Sequence, residues 1–260
     1  MRIMLAPMEG VVEHHVRAIL SKIGGLDGCV TEFIRVTDQK LPYKVFYKYA
    51  QELESDCKTP SGIPVKVQLL GSNPHFMALN AQELVRYGAK SIDLNFGCPA
   101  KTVNAHEGGA YKPPAYWHYI ADIRAKLTIN VVANGEIWSV ADYFRCREES
   151  QCDDVMLGRG LIAQPDLAKQ IRCALNQEPY TPLSWLEICQ MLFDYYRSTT
   201  PLYYEKNCGN RVKQWLMYLS RNYPEAASFF EFIKRKSLHH EIEQAFQEQL
   251  DFLLNKKHSI

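Results

Sequence analysis

A parallel βα sheet of barrel type, followed by an all-helical domain, is the fold that this sequence predicts, and three observations predict it. Short, nearly all-apolar runs alternate with helical patterns over the first two thirds of the 260 residues. Several of those runs end in residues that offer chemistry rather than packing. Near Glu178 the strand-like runs stop, and only amphipathic helical faces follow. A repeating βα pattern argues a parallel sheet with right-handed crossovers.

Six runs read as strands: Ile3–Pro7, Cys29–Phe33, Val65–Leu70, Ser91–Phe96, Val131–Asn134 and Asp154–Gly158. Strands buried on both faces are this apolar. Asn80–Tyr87, Tyr116–Leu127 and Val140–Arg147 read as helices between them. The run ends Ala6-Pro-Met-Glu-Gly10, Asn95-Phe-Gly-Cys-Pro99, Asn134-Gly-Glu136 and Gly158-Arg-Gly160 carry the functional groups. A barrel collects such groups at the C-terminal ends of its strands. A doubly wound sheet does so too, but no Gly-x-Gly-x-x-Gly follows the first run, which favours the barrel. A full barrel needs eight strands, so with six either some strands escape the pattern or the barrel is incomplete. The expected domains are 1–178, βα, and 179–260, helical, with Pro179 and Pro182 at the junction. In the second, Trp185, Ile188, Leu192 and Tyr195 share one face. Val212, Trp215, Leu216 and Leu219 share another, and Ile242, Ala245, Phe246, Leu250 and Leu253 a third.

Composition excludes several classes. At 47% apolar and 23% charged residues the chain can bury a core, which excludes disorder as the dominant state. No apolar run approaches the roughly 20 residues of a membrane span. The first ten residues lack the apolar stretch of an export signal, so a cytoplasmic location is expected. The net charge of +1 gives no overall field toward a polyanion. No two of the eight cysteines have Cys-x-x-Cys spacing, which argues against a zinc ribbon, and no metal is expected. The thiols read as mostly buried and inert.

One thiol is set apart. Gly97 permits a tight turn, Pro99 stiffens its exit, and Cys98 then stands on a loop at the mouth of the sheet, where a thiol can act as nucleophile or proton donor. Gly108-Gly109 and Gly158-Arg159-Gly160 suit close approach of a phosphate, with Arg159 able to bind it bidentately. Gln68, a carboxamide in an apolar strand, either reads the edge of a heterocycle or is satisfied by neighbouring side chains. Asn134, Gly135 and Glu136 either touch a ligand or, for Glu136, cap the next helix. Between Lys206 and Lys236 seven basic residues face two acidic ones, with Trp215, Tyr218 and Tyr223 interleaved. Such a surface suits RNA or is simply solvated, and Trp215 reads as core.

Together these residues resemble the tRNA-dihydrouridine synthase family. Ala6-Pro-Met-Glu-Gly10 resembles its flavin-contacting first strand, and Asp93-Leu-Asn-Phe-Gly-Cys-Pro-Ala-Lys-Thr-Val-Asn104 its catalytic loop. Val132–Ile137 and Val155–Gly160 resemble its last two barrel strands. Thr31–Val36, Thr59–Gly62, Val67–Gly71 and Arg211–Leu216 are similar to the bacterial C-type branch, which modifies uridine 16 of the tRNA D-loop. The resemblance runs over nearly the whole chain. It implies FMN as cofactor, NADPH as reductant and tRNA as partner; a monomer is expected. It also implies Cys98 as the general acid, with Pro7, Met8, Glu9, Gln68, Asn134, Gly135, Glu136, Gly158 and Arg159 at the flavin. Arg35, Asn95, Arg211, Lys213, Gln214, Tyr218 and Lys234 are implied at the tRNA.

The resemblance has one break. After Gly108-Gly-Ala110 the family carries about 50–60 more residues, roughly two βα units of an eight-unit barrel. Here Ala110 runs directly into Tyr111-Lys-Pro-Pro-Ala-Tyr-Trp117, which resembles the segment beyond them. A flavin-contacting Lys and a nearby His or Arg belong to the missing strands, and no position takes their place. Weakened flavin binding is the expected consequence, and a tRNA-binding chain without redox chemistry is the alternative.

Overall fold

The computed structural model describes residues 1–96 and 114–258. Cys98, Gly108 and Gly109 lie outside the described residues. The chain forms two compact units, Met1–Gly158 and Arg159–Ile260.

The first unit holds strands β1 (Ile3–Leu5), β2 (Gly28–Val30), β3 (Ile34–Arg35), β4 (Val65–Leu70), β5 (Ile92–Asn95), β6 (Val132–Asn134) and β7 (Asp154–Leu157). Its helices are α1 (His14–Ile23), α2 (Tyr43–Tyr49), α3 (Pro74–Arg86), α4 (Trp117–Arg124) and α5 (Val140–Ser150). Every ladder is parallel, as the alternation of strand and helix requires. The order across the sheet is β6, β7, β1, β2, β4, β5, with β3 also paired to β4.

The strand expected over Cys29–Phe33 stops at Val30, and a second short strand, β3, follows beyond the run at Ile34–Arg35, both strands pairing with β4. The Thr31 hydroxyl causes the break: it accepts from the Gln68 amide at 3.0 Å and donates to the Glu32 carbonyl at 2.9 Å. A side chain thus stands in for a ladder carbonyl. α3 begins six residues before the expected helix, because Asn73 caps it and Pro74 supplies its first helical position. α1 and α2 fall outside the helices that the sequence pattern indicated. Ile34, Phe46, Leu53, Val67, Leu69 and Leu84 pack into a core beside β3 and β4, with α2 and α3 supplying Phe46 and Leu84.

Among the described residues no ladder joins β5 to β6. These two strands flank the break in the family resemblance at Ala110, and they are the two ends of the sheet. The central strands are buried throughout, whereas β5 and β6 are half-exposed and Leu94 is 49% exposed. The all-apolar strand pattern therefore holds in the middle of the sheet and weakens at its edges.

The second unit contains α6 (Arg159–Ala163), α7 (Leu167–Asn176), α8 (Trp185–Thr199), α9 (Asn210–Leu219), α10 (Pro224–Ile233) and α11 (His239–His258). Ser184 and Glu187 form a capping box that starts α8. The three apolar faces expected here are buried, except that Leu253 is only partly so. The compact unit begins at Arg159, nineteen residues before the change of pattern at 178, because α6 and α7 belong with the helices. The Trp215 indole donates to the Ile162 carbonyl at 3.0 Å and the Asn222 amide to that of Ala163 at 3.0 Å. The Asp166 carboxylate accepts from Tyr180 at 3.1 Å and from the Leu183 amide at 2.9 Å. Among the described residues, no helix is long and apolar enough to cross a membrane.

Candidate active site

One polar cluster lies on the neighbouring strands β4 and β5. Gln68 on β4 stands opposite Asp93 on β5, and Asn95 follows on the same face. Gln68 is 5% exposed. Its Nε2 donates to Asp93 Oδ2 at 2.6 Å, and its Oε1 accepts from Asn95 Nδ2 at 3.1 Å. The neighbouring-side-chain alternative for Gln68 is thus realised. It leaves one amide proton and one lone pair beyond these two bonds. On the far side of β4, Arg35 is exposed, and it sits at the same level as Asn95, since both pair with Leu70.

Beyond β1, Pro7 and Met8 are half-buried and Glu9 is exposed. A Cβ on Gly158 would come within 3.6 Å of Ala6 Cβ and Met8 Sδ, so the exits of β7 and β1 lie close together. The Val11 amide donates to Glu32 Oε1 at 3.1 Å, tying the β1 loop to the residues after β2. Past β6, Asn134 is exposed. Gly135 (φ +118°) and Glu136 (φ +52°) turn the chain through the left-handed region. The Gly135 carbonyl accepts from the Trp117 indole at 2.8 Å, and Glu136 Oε2 accepts from the Trp138 indole at 2.9 Å. Glu136 does not cap the next helix: Ser139 caps α5, accepting from the Asp142 amide.

On α9, Arg211, Gln214 and Tyr218 fall at i, i+3 and i+7, a single half-buried stripe. Trp215 is core, as expected, set edge-on to Tyr195 at 5.1 Å between centroids. Lys213 has a partner within its own unit. Its ammonium donates to the Lys236 carbonyl, and burial holds its pKa below the usual lysine range. Lys234 is paired with Glu231. Arg159 is exposed at the start of α6.

Six of the seven described cysteines are buried and Cys173 is partly so. Burial pushes the Cys29 and Cys189 thiols up to about 12 and Cys146 to about 11, which makes them poor nucleophiles. The expected acid, Cys98, lies outside the described residues. Among those described, Glu13, His14 and His15 group like metal ligands. Hydrogen bonding accounts for the grouping, since Glu13 Oε2 lies 3.3 Å and 2.9 Å from the two imidazole Nδ1 atoms.

Sequence reasoning missed Asp93 as a partner of Gln68. The signal was present, since 93 and 95 share a strand face, but the register to β4 was needed to read it.

The family model for dihydrouridine synthase (Dus) matches residues 4–112 and 110–255. Its two pieces meet at Ala110–Lys112, where the sequence placed the missing units. The chain is 38% identical to the tRNA-dihydrouridine(16) synthase of Pseudomonas syringae pv. tomato over 302 positions, covering 91% of this chain and 95% of that protein. It is 39% identical to the protein of that name from Shewanella oneidensis over 295 positions, covering 88% and 92%. Both alignments run over more positions than this chain has residues, which requires gaps.

Proposed function

The chain belongs to the dihydrouridine synthase family, and from that membership we propose that it is an FMN-dependent oxidoreductase that uses NADPH to reduce uridine 16 of the tRNA D-loop to 5,6-dihydrouridine. The polar cluster of Gln68, Asp93 and Asn95, three residues ahead of Cys98 in the chain, carries this reading. The first unit, with the flavin-binding and catalytic assignments of 1–178, would do the chemistry. The helices of 179–260 would hold the tRNA. A cytoplasmic monomer fits this role.

The residues present fit a flavin at four strand ends. Gln68 keeps a donor and an acceptor for a heterocycle edge, as an imide requires. Gly158 lies beside Met8, where a Cβ would stand 3.6 Å from the Met8 sulfur. Pro7, Met8 and Glu9 would line the ring with Asn134, Gly135 and Glu136, and Gly158 and Arg159 would take the phosphate. Bound there, FMN supplies hydride to C6 of the uridine. Cys98 would give its thiol proton to C5, which completes the addition of one hydride and one proton across the double bond. Asn95 and Arg35 would meet the uridine and its neighbours, extruded from the RNA stack. Arg211, Lys213, Gln214, Tyr218 and Lys234 would meet the tRNA backbone and bases.

The test is the visible absorbance of purified protein before and after excess FMN, followed by dihydrouridine formation on unmodified tRNA. Bound flavin near one per chain and product lost in Cys98→Ala are the expected results. Among the described residues no ladder joins β5 to β6, which favours one second reading, tRNA binding without redox chemistry. A folded protein that binds tRNA but no flavin would establish that reading instead.

A further inference from the structure

We propose that Asp93 is a positioning residue that fixes which way the Gln68 carboxamide faces, and so sets the order of donor and acceptor offered to the flavin ring. The inference rests on the flavin reading above.

An amide can sit in its slot in two orientations that differ by exchange of oxygen and nitrogen. Only its partners decide between them. Asn95, an amide itself, does not decide by its chemistry alone. Asp93 can, because an ionised carboxylate only accepts hydrogen bonds. At 2.6 Å from Asp93 Oδ2 the Gln68 group must be Nε2. Oε1 then faces Asn95, which donates to it at 3.1 Å. The β4–β5 register makes this geometric, since Gln68 pairs with Asp93 and Leu70 with Asn95, so the three side chains share one face. The remaining N–H lies on the Asp93 side of the amide and the remaining lone pair on the Asn95 side. That ordered pair is complementary to the carbonyl and N–H of an imide edge. The reversed amide would set donor against donor and acceptor against acceptor.

A double-mutant cycle in FMN affinity tests this, using Gln68→Ala, Asp93→Asn and the double variant, with urea midpoints confirming the fold. D93N keeps the shape but can donate, so the amide is free to reverse. FMN affinity is expected to fall about tenfold in D93N, on the scale of one hydrogen bond to a charged group. The bound-flavin absorbance maximum is expected to shift. In the Gln68→Ala background, D93N should change neither quantity. An equal loss with and without Gln68 would overturn the inference while leaving the flavin reading intact. Wild type that binds no FMN would overturn both. Should D93N not fold, NMR of the wild-type Gln68 side-chain amide decides. One slowly exchanging proton is expected, and two fast ones would overturn the inference.

Discussion

Arg17 on α1 makes two charge-assisted hydrogen bonds to Glu52, from Nε to Oε1 at 2.8 Å and from Nη2 to Oε2 at 2.7 Å, with its guanidinium wholly buried. It also donates to the carbonyls of Val12 at 2.9 Å and Tyr49 at 3.0 Å. Removing one partner strands the other, and that penalty dominates at buried pairs. Arg17→Met is expected to cost about 3–5 kcal/mol in urea unfolding. Adding Glu52→Leu should recover a large part of that loss. A single-variant loss under about 1 kcal/mol would place the pair in the class of exposed bridges.

Asp154 closes β7 onto β1. Its Oδ1 accepts from the Arg2 amide at 2.6 Å, and its Oδ2 accepts from Arg2 Nε at 2.7 Å and Asn130 Nδ2 at 2.6 Å. Burial alone would raise this carboxyl, but the bonds from Arg2 and Asn130 outweigh it and hold the pKa below the ordinary carboxylate range. A depressed folded value stabilises the fold above the unfolded value, about 3.9, and that contribution is lost as pH falls through the folded value. Wild type should therefore exceed Asp154→Asn in thermal midpoint at pH 7, and the gap should close toward pH 3. A gap that stays constant over that range would refute this account.

The tRNA reading makes a prediction about salt. Arg211→Ala should weaken tRNA binding and lower the slope of log affinity against log salt by about 1, the signature of one phosphate contact. Trp215→Phe should leave that slope unchanged while lowering stability, because its indole serves the Ile162 carbonyl. An unchanged slope in Arg211→Ala would remove this arginine from the interface.

Gly71 follows β4 where the backbone passes close to its neighbours. A Cβ there would lie 2.8 Å from the Val36 carbonyl oxygen and 2.7 Å from Met77 Sδ. The methionine can move, but the carbonyl cannot without shifting the chain next to β3. Gly71→Ala should cost about 1–3 kcal/mol, the usual range for overpacking. A neutral result in chemical denaturation would show that this segment yields.

What the sequence disclosed and what it hid divide along physical lines. Parallel strands buried on both faces leave apolar runs, so β1, β4 and β7 were legible. β3 was not, because two residues carry no period and its separation from β2 depends on a hydroxyl of Thr31 bonded to distant Gln68. α3 was visible only in its second half, although Asn73-Pro74 is a start signal written in the chain. Gln68 and Asn95 could each be singled out, while their joining through Asp93 needed the β4–β5 register. Lys213 and Lys234 were singled out by resemblance, and only the fold showed their partners at Lys236 and Glu231. The break at Ala110 was legible by resemblance alone, since no local pattern marks what a chain lacks.

The place of β1 bears on how the chain is made. Its first neighbour, β2, follows within 25 residues, but its second, β7, pairs Ile3 with Val155. During synthesis β1 emerges before β7 and must wait for it, about 8–30 s at roughly 5–20 residues per second. Until then Ile3, Met4 and Leu5 have one flank bare in a nascent chain that cannot finish its sheet. Completion of the β1–β7 ladder is thereby timed by the arrival of residues 154–157.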